Sequence, residues 1–414
     1  MKLVAVTRSA LGSCCVLVLF MGLFSTPAQA FVEDITAVFR PDPSNPMVNK
    51  FQNTTPESGI CPWHIPARCK AMNIFTIRRA FSARSNQPIV AYAEPRKSAY
   101  FKVPSQWRDF QVTHRATGAI ETVQMRIAGI GVHWDIPRPP GVSAWASTIT
   151  PNWSSHWRNA PPPCQGVNYL AAGTFFALVF WLVPENAGAC NVTAGTEIPW
   201  MKYSALEYAY ELRTPNPLAM FSGEYIGGIS YTIGPGGDFD FGDVMESADS
   251  VATFNFQLSV EHALKVDIPP GGNRIELMPQ GGWQAWLNHG RAPARLYRDQ
   301  TFRIASSSRF KMQLECSIVM GNTCGLRNAE GDDVPLQVAV TLPSGLVDQY
   351  GQAVNKLPLR LDGVGSELFQ PLHYVSDRPG SLHFEVQRDD MGEMLKRPGS
   401  TYSGVVTVVW DSQV

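Results

Sequence analysis

Trp134, Trp145, Trp153 and Trp157 fall close together in the chain, interleaved with Asp135, Asn152, His156 and Arg158. Flat indole faces stack on sugar rings, while carboxylate, amide and imidazole groups beside them bond the hydroxyls. A few polar groups set among aromatic side chains is the usual make-up of a small-ligand site. Proline and serine between the tryptophans suggest loops, where binding residues sit on a rigid scaffold. The predicted ligand-binding set is therefore Trp134, Asp135, Trp145, Asn152, Trp153, His156 and Trp157. The competing reading is that these tryptophans fill a large core, as aromatic residues do.

Two patterns could hold a metal. His133 and Asp135 share one face of a strand, and with His156 they would make a zinc-type set of two imidazoles and a carboxylate. Asp238, Asp240 and Asp243 could supply oxygens to calcium, but their spacing does not match a calcium-binding helix–loop–helix. Phe239 and Phe241 between them fit a short strand with the aspartates facing solvent. No metal and no cofactor is expected. Neither a Gly-x-Ser-x-Gly elbow nor a His-Glu-x-x-His helix occurs, so the chain does not read as an enzyme. Composition alone leaves room only for a paired-carboxylate glycosidase.

The elements that would position these residues are strands. The 414 residues carry a net charge of −1, with 17% charged side chains, below the usual quarter. No basic or acidic tract offers a surface to nucleic acid. The 32 prolines and 34 glycines are spread out, as turns between many short strands require. Residues 1–30 read as a secretory leader: Lys2 and Arg8, an apolar run from Cys14 to Phe24, then a small-x-small site ending at Ala30. The mature chain would begin at Phe31. Cys14 and Cys15 leave with the leader, and an exported chain then pairs its remaining cysteines. Sequence neighbours give Cys61–Cys69, Cys164–Cys190 and Cys316–Cys324.

Two β-sandwich domains are expected. The first spans 31–245, with strands at Ile35–Phe39, Ile74–Ile77, Tyr100–Val103, Thr122–Ile130, Thr174–Val183 and Tyr225–Ile233. A linker follows at 246–253, where Glu246, Ser247, Asp249 and Ser250 are small or acidic. The second spans 254–414 and opens on the alternating Phe254, Phe256, Leu258 and Val260. Its other strands are expected at Thr301–Ile304, Phe310–Glu315, Leu336–Thr341, Leu382–Val386 and Val405–Trp410, with a helical turn at Asp389–Lys396. Tyr225 and Gly227 before one β-rich run echo Tyr402 and Gly404 before another, as if each domain closed on the same kind of strand.

The leader, the two β-domains and the closing run Tyr402–Asp411 resemble the two-domain tip adhesins of bacterial chaperone–usher fimbriae. The segments Ala37–Pro46 and Thr54–Cys61 are similar to the start of such adhesins. The resemblance implies a receptor-binding, often lectin-like, first domain and an incomplete immunoglobulin-like pilin domain lacking its last strand. It implies a periplasmic chaperone that lends the strand, an outer-membrane usher, and an adjacent subunit that replaces the chaperone. The strand would add at the edge formed by Val405, Val406, Thr407, Val408, Val409 and Trp410. The implied destination is the fimbrial tip, outside the cell, facing a host or surface glycan. The rival readings are a structural fimbrial subunit without a receptor and a secreted polysaccharide-active enzyme.

Overall fold

The computed structural model describes residues 29–148, 151–289 and 293–412. The leader read at 1–30 lies outside the described residues except for Gln29 and Ala30. The chain is all-β, with two large hydrophobic cores that share no residue and one small further cluster among the described residues.

In the first domain the strands that matter are β1 (Gln29–Phe39), β2 (Ile77–Ser85), β3 (Arg108–His114), β4 (Ile120–Asp135), β5 (Phe176–Leu182), β6 (Lys202–Arg213), β7 (Gly223–Thr232) and β8 (Asp249–Val260). β4 organises them. One edge of it pairs with β6, and the other pairs first with β3 and then with β5. Beyond β6 lies β2; beyond β3 follow β7, β8 and β1. The sheet curls until its ends face each other. Phe254 of β8 meets Tyr208 of β6 at 5.5 Å, and Phe31 of β1 meets both. Period-two alternation explains the sidedness: Phe31, Ile35, Ala37 and Phe39 are buried, whereas Val32 is exposed.

The domain boundary differs from the sequence reading. Phe254, Phe256, Leu258 and Val260 alternate as expected, but they point into the first core. β8 pairs antiparallel with β7 and parallel with β1 along its length. The expected linker is strand as well: Met245–Ser247 pairs with β2 before β8 begins. Glu246 and Asp249 are polar because they lie on the outward side of these strands, not because the chain is free there. The connection between domains is Glu261–Ala263. The echo also fails as a closing strand, since β8 follows β7 within the same domain.

The second domain contains β9 (Leu264–Asp267), β10 (Leu296–Ser306), β11 (Phe310–Cys316), β12 (Thr323–Arg327), β13 (Asp333–Thr341), β14 (Val375–Val386) and β15 (Val406–Ser412). One sheet runs β9-β10-β14-β13-β12; the other has β11 beside β15 at one edge. Phe302, Met312, Val338 and Phe384 fill the space between them. The helical turn expected at Asp389–Lys396 is a helix at Arg388–Leu395.

The cysteines pair as the spacing predicts: Cys61–Cys69, Cys164–Cys190 and Cys316–Cys324.

Candidate functional site: an unfinished sheet edge

The tryptophans come together, but inside. Trp134, Trp145 and Trp157 are fully buried. Trp157 is the hub, 5.3 Å from Trp134, 5.0 Å from Trp145 and stacked on Trp181 at 5.5 Å. The indole N–H of Trp181 donates to the Trp157 carbonyl at 2.7 Å. None of these three rings has a face left for a ligand, so their place in the expected binding set is corrected to core. Trp153 is half-buried and packs edge-on to Trp134 at 6.5 Å. The helix that carries them, Trp153–Asn159, begins at Asn152, whose side-chain oxygen accepts from the Ser154 N–H. That is a capping role, available because asparagine favours the position before a helix. His156 is half-buried and its Nε2 has no hydrogen-bond partner among the described residues.

Asp135 points the other way. Trp134 faces the core, so its strand neighbours His133 and Asp135 face outward. Ser204 of β6 bridges them, 3.2 Å from His133 Nδ1 and 3.3 Å from Asp135 Oδ2. Burial holds His133 below the ordinary histidine value, partly offset by Asp135. Asp238, Asp240 and Asp243 are each held by an arginine. Arg108 pairs with Asp238 at 2.6 Å, and Arg96 with Asp240 at 2.9 Å and Asp243 at 2.7 Å. Asp240 is buried rather than facing solvent, and also accepts from the Gly236 and Gly242 N–H groups. Among the described residues no group of three or more metal-ligating side chains assembles.

The first domain does present indoles elsewhere, in residues the sequence did not single out. Trp63 is 59% exposed at the end of the short helix Ile60–Trp63, in the segment closed by Cys61–Cys69, with the Arg78 guanidinium 5.8 Å from its ring. Arg84, farther along the same strand, lies over Trp200 at 4.9 Å. Beneath Trp63, burial pushes the Glu207 carboxyl up; it accepts from the Ile60 N–H and faces Arg78 at 3.4 Å. Spacing gave no signal for these pairs, because each joins segments distant in sequence.

Among the described residues the second sandwich has two open sheet edges, β9 and β15. β15 pairs antiparallel with β11 from Val406↔Cys316 to Ser412↔Phe310 and has no strand on its other side among the described residues. β9 likewise pairs only with β10. Phe310, Met312 and Leu314 of β11 and the inward apolar side chains of β13 and β14 are buried. Those of the two edge strands, Leu264 and Val266 on β9 and Val406, Val408 and Trp410 on β15, are only half-buried although they pack on the same core. Trp410 reaches between the sheets, 4.9 Å from Phe302 and 5.8 Å from Phe310. The edge expected at Val405–Trp410 is thus a strand from Val406 to Ser412, and exposed Val405 precedes it. Its free side carries unpaired backbone groups above a row of half-covered apolar side chains, the arrangement that accepts an added strand.

No protein-family model matches the chain, and no curated protein matches it. Solved structures that it is similar to include a chain from a chaperone–tip adhesin complex of CFA/I fimbriae biogenesis. It is 9% identical, covering 93% of this chain and 97% of that one, with a TM-score of 0.25. A second is a mutant of the CfaE adhesin of CFA/I enterotoxigenic E. coli, 10% identical, covering 93% of each chain, with a TM-score of 0.25. A third comes from the CsuC–CsuE chaperone–tip adhesion subunit pre-assembly complex of the archaic chaperone–usher Csu pili of Acinetobacter baumannii. It is 9% identical, covering 93% of this chain and 98% of that one, with a TM-score of 0.20.

Proposed function

We propose that the protein is a tip adhesin of chaperone–usher fimbriae. The first domain recognises a surface receptor, a glycan by the chemistry of its exposed Trp63 indole, and the second joins the fibre by accepting a strand. The work is non-covalent recognition, not catalysis. The observation that carries this reading is the contrast between fully buried interior strands and half-covered β9 and β15. An extended peptide with alternating apolar residues would bond along Val406–Ser412 and complete the cover over Val408 and Trp410. A periplasmic chaperone would lend that strand first, and the adjacent subunit, brought by the usher, would replace it. The route runs through the periplasm to the fimbrial tip.

The rival reading of a fibre subunit meets a specific obstacle. Such a subunit donates its own N-terminal strand, and with the leader removed at Ala30 as expected, residues 31–39 are committed to the first domain, paired with β8 and burying Phe31, Ile35 and Phe39.

A fused strand tests the proposal. The whole chain, extended after Val414 by a flexible linker and an apolar-alternating peptide, is expected to be a soluble monomer where the unextended chain associates. Fusion raises the effective concentration of the peptide to about millimolar, so weak intrinsic affinity suffices. A lysine at one inward position of the peptide should return the chain to the associating state, because a charge would be buried without a partner. Size-exclusion chromatography with light scattering reads the outcome. Equal monomer content in all three chains would sink the proposal.

A further inference from the structure

His262 lies in the three-residue connection between β8 and β9, and it is bonded to both domains. On one side its Nε2 is 3.0 Å from the Met220 carbonyl of the first domain. On the other its Nδ1 is 3.3 Å from the Ser307 hydroxyl of the second. A carbonyl only accepts, so Nε2 carries the proton. The Ser307 oxygen accepts from the Ala263 N–H at 2.9 Å, and its own hydrogen is free to donate to Nδ1. The neutral ring therefore satisfies every partner. Nearby, Arg309 donates to the Ala219 carbonyl at 2.6 Å and lies over Phe221 at 5.5 Å. Two adjoining carbonyls and one ring of the 219–221 loop are thus gripped by His262 and Arg309.

We propose that His262 is an acid-released latch: neutral, it locks the two domains together, and protonated, it lets them part. Protonation at Nδ1 takes away the acceptor of the Ser307 hydroxyl and places a cation in a half-buried joint. The charged groups facing the ring offer no relief. Arg309 repels, while the Glu261 carboxylate is engaged in two bonds from Arg40 at 2.6 and 2.7 Å. From β1 the ring meets only Phe39, edge-on at 5.8 Å. From the 219–221 loop it meets a carbonyl; His114 on β3 lies beyond, against Phe221 and bonded to Ser222 and Thr117.

The sign follows from linkage. Burial, opposed by the bond to Met220 and aided by Arg309, holds His262 below its ordinary value in the closed joint. An opened joint restores the ordinary value, about 6.5. The latch is therefore fully effective above that value and weakens as pH falls from it toward the lower closed-state value. Each pH unit in this window raises the open-to-closed ratio by up to about tenfold. The latch is a property of the joint and holds whether or not the first domain is a receptor-binding domain.

The test uses the whole chain carrying the fused strand, with spin labels at exposed Ile120→Cys and Tyr350→Cys, one in each domain. Pulsed dipolar spectra should give one interdomain distance at pH 7.5 and a broadened, longer distribution at pH 5. In His262→Gln, whose amide still donates to Met220 but does not titrate, the distribution should stay narrow at both values. The same narrow distance at pH 5 in the parent, or equal broadening in His262→Gln, would overturn the latch. Should His262→Gln fail to fold, selective labelling of histidine in the parent decides it by proton-coupled ring shifts. A His262 titration midpoint well below the ordinary value supports the latch, and a midpoint at or above it refutes it.

Discussion

Residues 31–245 produced alone are expected to be unfolded or aggregated, whereas residues 31–260 are expected to fold as a disulfide-bonded monomer. The two fragments differ by β8 and by the last two residues of the short strand before it. Without it the first core loses Phe254, Phe256, Leu258 and Val260, each at most 2% exposed in the folded chain. Each such side chain contributes about 1.5–3 kcal/mol of burial. Four together approach the whole net stability of a domain, about 5–15 kcal/mol. The loss also strips β7 and β1 of their shared neighbour and opens two sheet edges at once. Circular dichroism melts of both fragments check this. A cooperative melt from 31–245 with the same midpoint as 31–260 would assign β8 to the second domain.

Trp157→Ala is expected to lower the stability of the first domain by about 3–5 kcal/mol, the range for a buried tryptophan cut back to alanine. In a domain of this size that is a fall of roughly 6–20 °C in Tm. The cause is local: the cavity would face Trp134, Trp145 and Trp181, and since the first two pack on each other and the third on Phe101, the rings cannot close it. Trp63→Ala removes an exposed ring and should shift stability by no more than about 0.5 kcal/mol. Thermal melts of the two variants in the 31–260 fragment separate the cases. A large drop for Trp63→Ala with little change for Trp157→Ala would reverse the assignment of core and surface indoles.

Much of the fold was legible in the sequence because alternation and cysteine spacing are local. Phe310–Glu315, Leu336–Thr341 and Leu382–Val386 announce their strands by period two, and the three disulfides join near neighbours. The boundary was not legible, for alternation in Phe254–Val260 tells that one face is buried but not in which core. The strand Lys202–Arg213 escaped notice because Ala205, Glu207 and Ala209 are buried on its outer face, the last two against Ile60 beside the Cys61–Cys69 bridge. Polar and apolar residues do not alternate cleanly when both faces are covered. The tryptophan cluster misled for a related reason: aromatic density is the same signal whether rings stack on a ligand or on each other. Only burial separates the two, and burial depends on Phe101, Trp181 and Tyr203, which lie far away in sequence. The open edge was legible as a strand near the end of the chain. That its apolar side chains are only half-covered emerges from a comparison of exposures between β15 and β11.

Amide hydrogen exchange along Val406–Ser412 tests the unfinished edge most directly. In the whole chain without an added strand, held dilute enough to stay monomeric, alternate amides of β15, those turned away from β11, should exchange at nearly the rate of an unstructured peptide, while their neighbours are protected. In the chain carrying the fused strand, both sets should be protected, as backbone bonds form on the second side. Protection of every amide of β15 in the unextended monomeric chain would contradict the reading, because the edge would already have its partner.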